Sequence, residues 1–183
     1  MKTKNSNVNR LVASAMFLAL GMVLPFATMQ IPRFGNMLLP MHIPVILCGF
    51  ICGAPYGFLV GLIVPLLRSV IIGAPMLMPI AIAMAFELAA YGLVSGWLYR
   101  KLYQKKFGIY ISLVTAMIAG RIIWGIAMLI LFQMLGNPFT WKLFFAQAVI
   151  NAIPGIVIQL ILIPALVYRL KNSEMIRNLY GRN

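Results

Sequence analysis

A chain of 183 residues that is 63% hydrophobic, bears charge on 9% of its positions and has a mean hydropathy of +0.98 is too apolar for a soluble domain. Fifteen Lys and Arg against two acidic residues give a formal charge of +13, which in a soluble protein would point to nucleic acid, but the aromatic residues such a surface uses are not interleaved with the basic ones. Apolar stretches of roughly 17 to 25 residues recur instead from Leu11 to Leu170, each about long enough to cross a 30 Å hydrocarbon core.

Proline, glycine and charge divide the chain into six segments. The first is predicted over residues 11–29, and the second, bounded by Pro40, over 41–52. A Gly-Ala-Pro turn at 53–55 leads into the third, which ends near Ile72 before a second Gly-Ala-Pro at 73–75. The fourth covers 78–99, the fifth 109–132 and the sixth 143–168. The expected fold is an all-α integral membrane protein, a bundle of six transmembrane helices forming one domain over residues 1–183, with basic tails at 1–10 and 171–183. The first run is long for a signal-peptide core and no A-x-A site follows it, so no cleavage is expected.

Eleven of the fifteen basic residues fall in three short polar segments: Lys2, Lys4 and Arg10; Arg100, Lys101, Lys105 and Lys106; Arg169, Lys171, Arg177 and Arg182. An even number of crossings returns both termini to one side, and the positive-inside rule makes that side the cytoplasm. Only Arg33 and Lys142 lie in the connections left outside.

Ionisable residues within the apolar segments cost about 2.5 to 3.5 kcal/mol each on insertion scales, so they face a cavity or a partner. There are three, Arg68, Glu87 and Arg121, and counting along the helices puts all of them in the outer half of the membrane. Gln147 and Asn151 on the sixth segment, and His42, the only histidine, at the outer edge of the second, extend this set. Tyr91 shares the Glu87 face at i+4 and Trp124 the Arg121 face at i+3. The pattern predicts a polar pocket opening outward with His42 at its rim. A structural alternative stands beside it: Glu87 with either arginine as an interhelical ion pair, His42 as an interfacial or capping residue, and Trp124 and Tyr91 as packing. Cys48 and Cys52, at i and i+4, read as buried apolar residues, and one histidine is too few for a metal cluster with them.

No carboxylate pair, HExxH motif, Ser-His-Asp set or glycine-rich phosphate loop supports an enzyme, and no catalytic, metal or cofactor site is expected in the chain. Six short crossings without a nucleotide site or inverted repeat also lack the means to drive transport alone.

In size, segment count, basic termini and the Ala15-Met-Phe-Leu-Ala19 stretch of the first segment, the sequence resembles the substrate-binding S components of energy-coupling factor (ECF) vitamin transporters. The resemblance implies a vitamin-capturing subunit in a bacterial-type plasma membrane. Its partners would be a transmembrane coupling subunit and two ATPase subunits that use ATP. Ala15 and Ala19 would dock to the coupling subunit, since small residues four apart let another helix approach closely. The connections QIPRFGNMLLP and GAPML would then gate the site.

PMHIPVILCGF, PLLRS and MAFELAAYG look most like pantothenate-type members, whose ligand is a small hydrophilic carboxylate. Arg68 or Arg121 would take the carboxylate, with His42, Asn151 and Gln147 on hydroxyl and amide groups. Folate, riboflavin, pyrimidine and niacin types are the alternatives within the family, and a pterin, pyrimidine or flavin ligand would instead favour stacking on Trp124, Tyr91 or Tyr56. The rival of another class is a membrane assembly or scaffold protein whose buried charges hold helices together.

Overall fold

The computed structural model describes residues 2–29, 39–136 and 153–170. Six helices lie among them: α1 (Lys2–Met29), α2 (His42–Cys52), α3 (Ala54–Ile72), α4 (Ile82–Leu102), α5 (Gly108–Met134) and α6 (Ile153–Leu170). The punctuation works through backbone geometry. Gly53 (φ 99°) turns α2 into α3 while its N–H donates to Gly49 O at 3.1 Å, and Pro55 sits in the first turn of α3. Gly73 (φ 77°) closes α3 in the left-handed conformation, its N–H donating to Ser69 O at 2.9 Å. The stretch Leu77–Ala81 then leads into α4 through a kink at Met78, whose backbone is extended (φ −122°, ψ 128°), with Ala81 N–H reaching back five residues to Met76 O at 2.9 Å.

Two boundaries differ from expectation. Helix α1 starts at Lys2, so the stretch expected as a basic tail continues the first helix. Helix α2 has 11 residues, or roughly 16 Å of rise, which is too short to cross a hydrocarbon core. Among the described residues, five helices are long and apolar enough to span, and α2, expected as a crossing, is a shorter apolar helix beside them. The reason lies in its surroundings: every residue of α2 is buried, with α1, α3, α4 and α6 packed against it. The described part of the sixth segment begins at Ile153, and residues 143–152 lie outside the described residues.

Lipid tails are as apolar as leucine, so helices in a membrane associate through close van der Waals packing rather than hydrophobic expulsion from water. Glycines provide that closeness here. A Cβ added to Gly92 on α4 would overlap Gly57 O on α3, and one added to Gly61 would overlap Leu88 O. Gly57 also rests against the Gly49 backbone of α2. The three helices thus meet backbone to backbone, and α4, rich in buried Ala, Gly and Ser, becomes the central post with α5 on its other flank. Large apolar side chains point outward instead, including Val12, Val23, Val70, Ile122 and Ile161.

Tyr168 O–H donates to Lys106 O at 3.4 Å, which sets the end of α6 beside the α4–α5 connection. Gly96, near the end of α4, abuts the Ala54 backbone at the start of α3. At the opposite end of the bundle lie the start of α2, the ends of α1 and α3, and the turn into α4. That end carries the buried charges.

Candidate functional site

Glu87 and Tyr91 are one turn apart on α4 and project from the same face. The Tyr91 hydroxyl donates to Glu87 Oε1 at 3.1 Å. From α5, Arg121 Nη1 reaches the same oxygen at 3.0 Å, a charge-assisted pair. From the first residue of α2, His42 Nε2 stands 3.7 Å from it, too far for a hydrogen bond, with its ring centroid 5.3 Å from that of Tyr91. Three helices therefore converge on one carboxylate oxygen. His42, Glu87 and Tyr91 are each 1% exposed, so His42 is enclosed by the bundle rather than standing at an open rim.

The pair leaves polar capacity unspent. Both ring nitrogens of His42 and the Nε and Nη2 atoms of Arg121 are buried without a hydrogen-bond partner among the described residues. Gln159 Nε2 on α6 shares that condition, in a side chain 1% exposed. Buried donors without partners cost about 1 to 3 kcal/mol each, which a bound acceptor would recover.

Gln159 is not among the residues that the sequence pattern singles out. Counting roughly 1.5 Å per residue back from Tyr168, beside the α4–α5 connection, puts Gln159 within about one helical turn of the depth of Tyr91. The sequence does carry a signal for it: residues 147, 151, 155 and 159 follow one another at steps of four, and Gly155 and Gln159 are both buried. Gln147 and Asn151, the expected members of this row, lie outside the described residues.

Arg68 is built into a different place. Its Nε donates to Ala74 O and its Nη1 to Met22 O, both at 3.0 Å, and its guanidinium carbon lies 4.9 Å from the Phe26 ring centroid. It binds α1, α3 and the segment after α3 together, and is 2% exposed. Of the two arginines expected near Glu87, the structure thus brings only Arg121 to it. Trp124, one turn beyond Arg121, packs into a small apolar cluster with Ala83, Met128 and Leu131. Ala15 and Ala19 are on the outward face of α1, among exposed Leu11, Val12, Met16 and Leu20, while Ala13, Ser14 and Phe17 turn inward.

The cluster on Glu87 thus combines a fixed anion, a partly used guanidinium and an imidazole inside an apolar bundle, with the Gln159 amide buried at a similar depth on α6. It is equipped to hold a small polar molecule by hydrogen bonds. The family model described as "ECF transporter, substrate-specific component" matches residues 9–167 of the chain. No curated protein and no solved structure matches it.

Proposed function

This chain belongs to the family of ECF transporter substrate-specific components, and from that premise we propose that it captures a small carboxylate vitamin of the pantothenate type in the site formed by His42, Glu87, Tyr91, Arg121 and Gln159. Membership makes it a multi-pass membrane protein and a vitamin-type substrate-binding subunit that works with a coupling subunit and ATPases; the family is one of transporter components, not enzymes. The observation that carries the choice of site is the set of buried, unspent nitrogens on His42 and Arg121 around one engaged carboxylate oxygen, with the unspent Gln159 amide at a similar depth. A scaffold protein would account for the Glu87–Arg121 pair, but it would gain nothing from leaving those donors without acceptors.

Asn151 and Gln147 extend the row that begins with Gln159 and supply further contacts to hydroxyl and amide groups. Trp124 walls the site one turn away, and Arg68 fastens the connection that covers it. Basic residues at the end of the bundle that carries the α4–α5 connection support a cytoplasmic orientation for that end in a bacterial-type plasma membrane. The site then lies toward the outside, where the vitamin is met. Ala15 and Ala19 present the face of α1 to the coupling subunit, and the two ATPases of the ECF module drive release within.

A screen of water-soluble vitamins against the purified chain tests this reading. One compound, pantothenate first, is expected to raise the melting temperature and to bind at micromolar or tighter affinity. A complete panel without a ligand overturns the proposed function.

A further inference from the structure

We infer that Arg121 holds a ligand carboxylate through its Nε–Nη2 edge while Nη1 stays on Glu87, so that one side chain serves both the helix pair and the choice of an anionic ligand. This rests on the vitamin-binding reading above and specifies how the ligand's charge is recognised.

A guanidinium presents its five N–H groups in a planar fork. Nη1 is engaged by Glu87 Oε1 at 3.0 Å, while Nε and Nη2, whose N–H bonds run parallel along the neighbouring edge, are buried without partners among the described residues. Two parallel donors at fixed spacing match the two oxygens of a carboxylate, the bidentate geometry for which arginine is suited and lysine is not. Glu87 does not compete for that edge, because Arg121 meets it through Nη1 and Tyr91 donates to the same oxygen. Glu87 is thus a positioning residue that sets the plane of the guanidinium.

Charge points the same way. Glu87 and Glu174 are the only acids in the sequence, and Glu174 follows the last spanning helix. Inside the bundle, Glu87 is already engaged by Arg121 Nη1 and the Tyr91 hydroxyl, so a ligand cation would find no open carboxylate edge there, whereas an anion finds the unspent side of Arg121. The buried Gln159 Nε2, at a similar depth, adds a donor and no charge.

Matched ligand pairs test this on the purified full-length chain by calorimetry: pantothenate against panthenol, in which an alcohol replaces the carboxylate, and nicotinate against nicotinamide. Wild type is expected to prefer the carboxylate member of one pair by roughly 100-fold, the worth of two charge-assisted hydrogen bonds at the low end of their range. Arg121→Lys keeps a cation beside Glu87 but lacks the parallel edge, and the preference is expected to fall below about tenfold while the melting temperature stays near wild type. If that variant does not fold, the wild-type preference within each pair still decides. Equal binding of both members, an Arg121→Lys protein with full preference, or tight binding of an uncharged or cationic vitamin alone overturns the inference and leaves vitamin capture standing. A chain that binds no vitamin at all overturns both.

Discussion

The ring of Tyr91 on α4 occupies the space that any side chain at Gly120 on α5 would need: a Cβ added there would run into Cδ1 and Cε1 of the ring. Since the Tyr91 hydroxyl donates to Glu87 and the next residue after Gly120, Arg121, pairs with the same oxygen, this contact sets how closely α5 approaches the site. Gly120→Ala should displace the ring or the helix, costing about 1 to 3 kcal/mol as overpacking does. Tyr91→Phe keeps the ring and loses one hydrogen bond, about 1 kcal/mol. Thermal melts and vitamin titrations of both should rank Gly120→Ala as the more damaging in each. A Gly120→Ala protein equal to wild type in both would show that the contact does not shape the site.

Much of this arrangement is legible in the amino-acid sequence. The Gly-Ala-Pro turns bound α3, and the i, i+4 relation of Glu87 and Tyr91 follows from helical periodicity alone. The partner of Glu87 is not legible, because Arg68 and Arg121 lie on different helices at similar apolar depth, and only tertiary packing decides between them. Glycine as punctuation accounts for Gly53 and Gly73 and misses Gly57, Gly61 and Gly92. There the absence of a side chain serves contact between helices, and contact partners are not written in local sequence. The composition of α2 fits a crossing, yet burial by four neighbours allows an apolar helix to be short.

Arg68 provides the second prediction. Its bonds to Met22 O and Ala74 O join three parts of the chain at one end of the bundle. Hydrogen bonds to a charged group are worth about 1.5 to 3 kcal/mol, so Arg68→Gln should lower unfolding stability by a few kcal/mol, with Arg68→Lys intermediate. Vitamin affinity, measured below the melting transition, should change much less than in Arg121→Lys. The opposite ranking, normal melting with lost binding, would move the ligand anchor from Arg121 to Arg68.

Two glycines separate the cost of space from the cost of conformation. Gly73 has φ 77° and open space where a methyl group would stand, whereas Gly92 is pressed against the Gly57 carbonyl. Gly73→Ala should therefore cost about 1 to 2 kcal/mol, the penalty for a left-handed non-glycine residue. Gly92→Ala must part α3 from α4 and should cost more, with loss of folded protein on purification as its extreme. Chemical denaturation in detergent reads both, and equal losses would mean that the α3–α4 seam yields more easily than its backbone contacts suggest.

The outward face of α1 carries the last prediction. Ala15 and Ala19 lie one turn apart among exposed Leu11, Val12, Met16 and Leu20, and the inward face of the same stretch is taken by Ala13, Ser14 and Phe17. Two small residues on an apolar face leave a shallow groove that a partner helix can enter closely, and neither residue supports the bundle itself. Ala15→Trp and Ala19→Trp should therefore leave the melting temperature unchanged and vitamin affinity within about twofold, since substitutions away from packed features usually alter stability by no more than about 0.5 kcal/mol. Assembly should respond differently, because a bulky ring in the groove holds the coupling subunit's helix away and removes its van der Waals contacts. Co-purification with the coupling subunit and vitamin uptake in cells should both fall, most in the double variant. Full uptake by Ala15→Trp/Ala19→Trp would move the docking surface to another face of the bundle.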